Sequence, residues 1–409
     1  MPIFGTYRCF LNRFFQIINF MKIIYFSTTC ISDAEFPLIK EYYKQGIDVQ
    51  YYVQLLNVNL KSGLFDIKKQ IKRTGIFKAS DFKDMEPYAS YIDLDKINIV
   101  NFVDHRMRYL PTVLLWIRLF LKFLFMRPNV IHFGWPLEGI GKILYFLPAK
   151  KVLTIHDPFR HSSNTNIREE KDRVFAFKKV DKICLLSSIQ LSSFCKYYKI
   201  PKEKIFLNKL GDYGALRECK STDIKSTDIN ISSPYILFFG LISSYKGLEY
   251  LCKAMTKIHI AHPDVKLIIA GGGKIYFNFE NYANLDYIIL INRYITVPEL
   301  SGLLKSCLFT VCPYKDATQS GVVQTAFTMR VPAIVTNVGA LPIAVEDGIT
   351  GLVIPPCNSD AIENACNKLI MNPQLIAEMK HNIASIWQKN MNWDVITEKY
   401  MEVYENISN

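Results

Sequence analysis

Residues suited to chemistry gather in four short stretches. Thr318-Gln319-Ser320-Gly321 follows an apolar run, Leu308–Val311, that closes at Pro313, and it leads into a helix-like segment, Val322–Met329. Hydroxyl and amide side chains ahead of a glycine, with the free amides of Gly321 and Val322 opening a helix, make a seat for an anion such as a phosphate. Lys246 stands at a second loop-to-helix junction, Gly240-Leu-Ile-Ser-Ser-Tyr-Lys246-Gly247, where its ammonium and the helix amides can share an anion. Gly271-Gly272-Gly273 allows close approach of backbone to a ligand, but it lacks the full dinucleotide fingerprint and its downstream acid. His156-Asp157, with His161 beyond, ends the strand-like run Lys151–Ile155, where substrate contact or proton transfer is open to an imidazole and a carboxylate.

These stretches need a scaffold that brings strand ends together. From Cys312 to Pro356 the order is apolar run, polar loop, helix, second apolar run (Ala333–Thr336) and glycine-marked turns, which is one unit of a parallel α/β sheet. Ligands of such sheets sit outside the carboxyl ends of the strands. Tyr235–Phe239, Lys266–Ala270 and Tyr287–Ile291 extend the pattern, and Arg293 follows the last of them. In the first half, runs beginning at Met21, Ile47, Val130, Lys151, Asp181 and Lys204 read as further buried strands, whereas residues 54–100 give no clear pattern. Asp93-Leu-Asp95 in that region is a common tripeptide and is not taken as a metal site.

The expected organisation is an extension at 1–20, a domain at 21–212, a polar linker at 213–233, a domain at 234–385 and a final helix at 386–409. The extension is a poor signal peptide because Arg13 interrupts its apolar run, and Met21 is the expected start of both fold and translation. The chain has 409 residues, half of them apolar, enough for two substantial cores. Ten cysteines with no paired or metal-ligand spacing indicate reduced thiols in a cytoplasm, and neither a disulfide framework nor a metal site.

Charge is unevenly shared. Residues 1–212 hold 33 Lys and Arg against 19 Asp and Glu, while the remainder holds 16 against 18. The cationic half implies an anionic partner, or simply a soluble basic face. It contains no nucleic-acid-binding module, which argues against nucleic acid as that partner. Leu110–Met126 is the most hydrophobic run, with Arg118 and Lys122 near its middle. Two central cations cost about 2.5–3.5 kcal/mol each on insertion, which disfavours a membrane span. The run fits a helix lying on an anionic membrane surface, with Arg118 and Lys122 facing it, or a core helix with one wet stripe.

The second half resembles the family four retaining glycosyltransferases of the GT-B fold, in a branch carrying T-Q-S-G at the 318–321 loop. The resemblance is carried by F-F-G-L-I-S-S-Y-K-G (238–247), A-G-G-G (270–273) and G-A-L-P-I-A-V-E-D-G-I-T-G-L-V-I-P-P (339–356); the first half is similar only loosely. It implies an α/β protein of two Rossmann-like parallel-sheet domains facing each other across a cleft, with the last helix crossing back onto the first domain. It implies transfer of a sugar, with retention, from a nucleotide-diphosphate-sugar co-substrate to a hydroxyl of a glycan or lipid-linked acceptor. No cofactor or metal is required. Surface or capsular polysaccharide assembly in a bacterial cytoplasm, peripheral on the inner membrane face, is the implied setting.

Carried over residue by residue, the resemblance assigns catalytic roles to Lys246, His156 and Asp157, with His156-Asp157 matching an H-D-P segment at the lip of the cleft. It assigns donor binding to Gly240, Lys246, Gly271, Gly272, Arg293, Tyr314, Thr318, Gln319, Ser320, Gly321 and Val322. Relatives often carry an arginine where Leu241 stands and glutamates where Thr318, Ala326 and Ile343 stand. Those departures keep two other readings open: a non-catalytic nucleotide- or glycan-binding scaffold, and a nucleotide-sugar epimerase on the same fold.

Overall fold

The computed structural model describes residues 21–56, 61–62, 65–67, 71–104, 106, 108–159, 167–218, 233–317 and 321–408. It divides into two compact units, one reaching Gly211 and resuming at Trp393, the other running from Asp212 to Asn392.

Unit one is built on an eight-stranded sheet. Its strands are β1 (Lys22–Thr28), β2 (Asp48–Leu56), β5 (Gly75–Lys78), β6 (Ile97–Phe102), β7 (Val130–Phe133), β8 (Lys150–Ile155), β9 (Lys182–Leu185) and β10 (Ile205–Leu207); a separate pair, β3 (Lys61–Ser62) and β4 (Phe65–Asp66), lies outside it. The order is β10-β9-β8-β7-β1-β2-β6-β5, parallel except for β5. Strands such as Ile97–Phe102 are buried along their whole length, because helices cover both faces of a parallel sheet. That is why they read as unbroken apolar runs. The helices are α1 (Ser32–Lys44), α2 (Leu110–Met126), α3 (Ile167–Lys179), α4 (Leu191–Tyr198) and, from the far end of the chain, α10 (Trp393–Ser408). Helix α2 starts with a proline in its first turn and stops at Arg127, which adopts a left-handed conformation. No described helix is long and apolar enough to cross a membrane.

Helix α10 is fixed to this sheet by polar contacts in the core. The Tyr404 hydroxyl bonds Tyr42 at 3.1 Å and the His132 ring, and His132 Nε2 lies 2.7 Å from the Thr154 hydroxyl. The chain returns to unit one at Trp393, and not at residue 386. Residues 383–390 stay with unit two because Trp387 packs edge-on against Phe327, with ring centroids 5.5 Å apart.

Unit two holds β11 (Tyr235–Phe239), β12 (Lys266–Ala270), β13 (Ile288–Ile291), β14 (Thr310–Cys312), β15 (Ala333–Thr336) and β16 (Gly351–Ile354) in the order β13-β12-β11-β14-β15-β16, all parallel. Around it lie α5 (Leu248–Ala261), α6 (Val297–Ser306), α7 (Gly321–Thr328), α8 (Ser359–Ile370) and α9 (Pro373–Asn382). The front of the expected linker also belongs here: residues 214–218 form a short helix with Leu216 in the core, and the Tyr213 amide donates to the Thr328 hydroxyl at 2.9 Å. Residues 1–20 and 219–232 lie outside the described residues.

Among its parallel strands, each sheet reverses strand order once. In unit one the reversal falls between β1 and β7, and in unit two between β11 and β14. Such switch points open a crevice at the carboxyl ends of the strands, the usual ligand seat in open α/β sheets.

Candidate active site

The switch point of unit two is built by backbone contact between two loops. Gly247 has φ +64°, and a Cβ there would lie 2.0 Å from the Pro313 carbonyl oxygen, so the turn after β11 touches the end of β14 only because residue 247 is glycine. The Lys315 amide donates to the Tyr245 carbonyl at 2.7 Å. Lys315 Nζ meets Glu249 at 2.8 Å, and the Tyr276 hydroxyl donates to the same carboxylate at 2.7 Å while accepting from the Leu248 amide.

Lys246 is carried into this junction and is 6% exposed. Its ammonium lies 5.1 Å from the Tyr314 ring centroid, and among the described residues it has no carboxylate or hydrogen-bond partner. Burial pushes its pKa down to about 8, with the Cys312 thiol acting weakly the other way. Gly240 (φ +104°) leaves the space in front of the amine: a Cβ there would stand 3.1 Å from Nζ and 3.3 Å from Val322 Cγ2. Lys246, Gly240, Tyr314 and Val322 therefore converge, and α7 opens beside them at Gly321. Thr318, Gln319 and Ser320 lie outside the described residues.

The glycine triplet divides by role. Gly271 and Gly273 let β12 abut the neighbouring loop, since a Cβ on either would lie 2.0–2.2 Å from the carbonyl oxygens of Gly240 and Ile242. Gly272 meets only ordinary contacts, and its carbonyl accepts from the Ile242 amide at 2.9 Å. Arg293 is not a spare charge. Its guanidinium grips Glu299 through two bonds of 2.7 and 3.1 Å, while Glu299 closes a capping box with Thr296 at the start of α6. Of the three departures from the family pattern that the structure describes, Ala326 is buried, but Leu241 and Ile343 are exposed apolar side chains.

In unit one, His156 follows β8, and its Nε2 is buried without a hydrogen-bond partner. Burial lowers its pKa to about 4, so the ring is neutral near pH 7. It lines two pockets, one with Trp135, Asp157, Asp172 and Arg173, the other with Tyr25, Glu35, Lys209 and Tyr400. Arg173 shapes the loop by donating to the carbonyls of Asp157 and Pro158 at 2.8 and 2.9 Å. His161 lies outside the described residues. Asp93 accepts from the Asp95 amide at 3.1 Å and caps a short turn, and among the described residues no side-chain group is suited to hold a metal.

Glu35 was missed from the sequence. Its carboxyl accepts from the Ser27 hydroxyl at 2.6 Å and the Tyr51 hydroxyl at 2.8 Å, fully buried at the switch point of unit one. Burial, opposed by these hydroxyls and by Tyr25, raises its pKa to about 8. A Cβ at Gly134 would fall 2.0 Å from Glu35 Oε1, so the glycine after β7 makes room for it.

Residues 233–372 match the family described as Glycosyl transferases group 1. Among curated relatives, alpha-D-kanosaminyltransferase from Streptomyces kanamyceticus is 23% identical over 177 residues, 42% of this chain and 46% of its own length. The chain spans about half the length of the curated relatives it matches. HepE from Anabaena, solved with UDP-glucose, aligns with a TM-score of 0.66 at 14% identity, covering 94% of this chain and 100% of its own. A UDP-N-acetylglucosamine 2-epimerase aligns with a TM-score of 0.57 at 15% identity, covering 88% and 90%. The fold is GT-B in class, two Rossmann-like α/β domains, and the glycosyl transferases group 1 match lies within the second of them.

Proposed function

We propose that this protein is a retaining glycosyltransferase that moves a sugar from a nucleotide-diphosphate-sugar to a hydroxyl of a glycan or lipid-linked acceptor. The observation that carries this reading is Lys246, a buried ammonium at a strand-order switch point with no anionic partner among the described residues. Such a group is costly to bury alone, and a diphosphate beside it would supply the missing charge. As the glycosidic bond breaks, negative charge grows on the leaving diphosphate. Lys246 and the amides of Gly321 and Val322, held in place beforehand, stabilise that charge without a dedicated metal. Thr318, Gln319 and Ser320 add donors to the same seat. Gly240 and Gly272 leave room for backbone approach, and Tyr314 walls the ammonium. His156 and Asp157 contact substrate hydroxyls, and the departing phosphate takes the acceptor proton, as the family resemblance implies. Arg293 is kept as a donor contact only if the diphosphate displaces it from Glu299. The setting is assembly of bacterial surface polysaccharide such as capsule, in the cytoplasm and peripheral on the inner face of the membrane.

The test is a thermal-shift screen with UDP, GDP, ADP and their sugar conjugates, with and without magnesium. A ligand at a hundredfold its dissociation constant stabilises by about 2.7 kcal/mol. A shift with one nucleotide that Lys246→Met abolishes supports the reading; the same shift in the variant removes Lys246 from it. Two other readings have observations in their favour. Likeness to the epimerase supports epimerisation or hydrolysis of the donor, detected as turnover without acceptor. The exposed Leu241 and Ile343, where relatives place charges, support a non-catalytic scaffold, detected as binding without turnover.

A further inference from the structure

Helix α2 buries Leu115, Trp116, Leu119 and Phe123 against the sheet of unit one, as an amphipathic helix should. Its other face is not polar. Leu110, Leu114, Ile117, Leu121 and Phe125 recur at intervals of three and four residues and are all exposed, Phe125 by 78%. An exposed run of large apolar side chains along one helix needs an occupant. The charges around it select one. Arg118 flanks the stripe, Lys122 stands one step further round with its amine 5.3 Å over the Tyr52 ring, and Arg127 follows the last helical residue. No acidic residue occurs between Asp104 and Glu138.

We propose that this face of α2 lies in the interface of an anionic lipid bilayer, with the apolar stripe in the acyl boundary and Arg118, Lys122 and Arg127 among the headgroups. The length agrees. Seventeen residues rise about 25 Å, too short for a hydrocarbon core of about 30 Å but well suited to lie in its surface. A second copy of the chain fits less well, since stacking two such stripes sets Arg118 and Lys122 against their own counterparts. The inference rests on the placement of the protein at a membrane and uses nothing of the transfer reaction.

Co-sedimentation of the full chain with vesicles tests it, without donor or acceptor, so failure here is separable from failure of the transferase reading. Vesicles of equimolar phosphatidylglycerol and phosphatidylcholine are compared with phosphatidylcholine alone. The full chain is expected to bind the anionic vesicles and only weakly the neutral ones. Arg118→Glu with Lys122→Glu should lower the partition coefficient more than tenfold, at about 1 kcal/mol per cation near such a surface. Leu114→Ser with Leu121→Ser should lower it by a similar factor while leaving every charge and the melting temperature in place. Equal binding by wild type and both variants, or equal binding to neutral vesicles, overturns the proposal. So does a concentration-dependent dimer that the serine variant dissolves, which would assign the stripe to a second copy.

Discussion

Each unit holds a buried ionisable side chain at the point where its strand order reverses, and the two are treated in opposite ways. Glu35 in unit one is surrounded by hydroxyl groups that meet its oxygens. Lys246 in unit two faces the rings of Tyr245 and Tyr314 and, among the described residues, meets no hydrogen-bond acceptor. A satisfied buried polar group holds a fold together, whereas a buried charge with no partner is a cost that the free protein bears. The first is part of the scaffold. The second, on the proposed reading, is completed by the diphosphate of the donor.

Opposite substitutions should therefore act with opposite sign on stability, and the largest effect is on binding. Lys246→Met should weaken nucleotide-sugar affinity and transfer by one to two orders of magnitude, the worth of a charge-assisted hydrogen bond of about 1.5–3 kcal/mol. The same variant should melt higher than wild type without ligand, because a buried ammonium has become an apolar side chain. Calorimetric titration and a melting curve on one preparation check both halves. A lower melting point with intact affinity would reverse the contrast between the units.

Glu35→Leu should lower the melting point, by roughly 2–4 kcal/mol in stability, since Ser27 and Tyr51 would keep buried hydroxyls without their acceptor. Glu35 also gives the fold a pH signature. Its folded pKa, about 8, lies above its unfolded value near 4.5, so the folded state keeps a proton that the unfolded state releases. Buried, neutral His156 contributes a rise in stability between about pH 4 and 6.5, and Glu35 contributes a downward slope from about 4.5 to 8. Glu35→Gln should remove that slope, measured by denaturant titration across the range. A slope of unchanged size would assign it to other groups.

Much of this frame was legible in the sequence. Parallel strands buried on both faces read as plain apolar runs, so Tyr235–Phe239 and Ala333–Thr336 appear as strands at their observed positions. The bounds of α2 coincide with the most hydrophobic run of the sequence, Leu110–Met126. The burial of Lys246 was not legible, because it arises where Gly247 meets Pro313, over sixty residues away in the chain. Glu35 was hidden for the same reason: it is one of two carboxylates in the first turn of α1, an ordinary helix start, and its partners come from β1 and β2. The partner of Arg293 is legible in the sequence. Thr296-Val-Pro-Glu299 is a capping-box spacing, which already reserves Glu299 for the helix start and sets it six residues from the arginine.

The pH behaviour of the lysine site should mirror that of the glutamate. Its folded pKa, about 8, lies below the ordinary lysine value, so the penalty of burying its charge is present below pH 8 and is relieved as the folded state loses its proton above it. On the proposed reading, diphosphate binding needs the charged form of Lys246. Affinity should hold steady below pH 8 and then fall by up to about tenfold per pH unit, as expected for one linked proton. The Lys246→Met variant should show no such break. A wild-type affinity that is flat to pH 9.5, about one and a half units past the expected break, would mean that the ammonium stays charged or stands apart from the donor.

The smallest effect concerns what the site lacks. Leu241 is 62% exposed on the loop that leads from Gly240 to Lys246, at a position where the family resemblance implies an arginine. Leu241→Arg adds a second cation beside the same seat at no cost in core packing. Partly solvated, it should tighten diphosphate binding only three- to tenfold, in line with about 0.5–1.5 kcal/mol for an exposed charge-assisted contact. The gain should shrink as salt is raised, because an exposed charge is screened and the buried Lys246 is not. A gain that survives high salt would place position 241 deeper in the seat than its exposure implies. No gain at all would mean that the donor lies away from this loop, and that Lys246 alone supplies the positive side of the site.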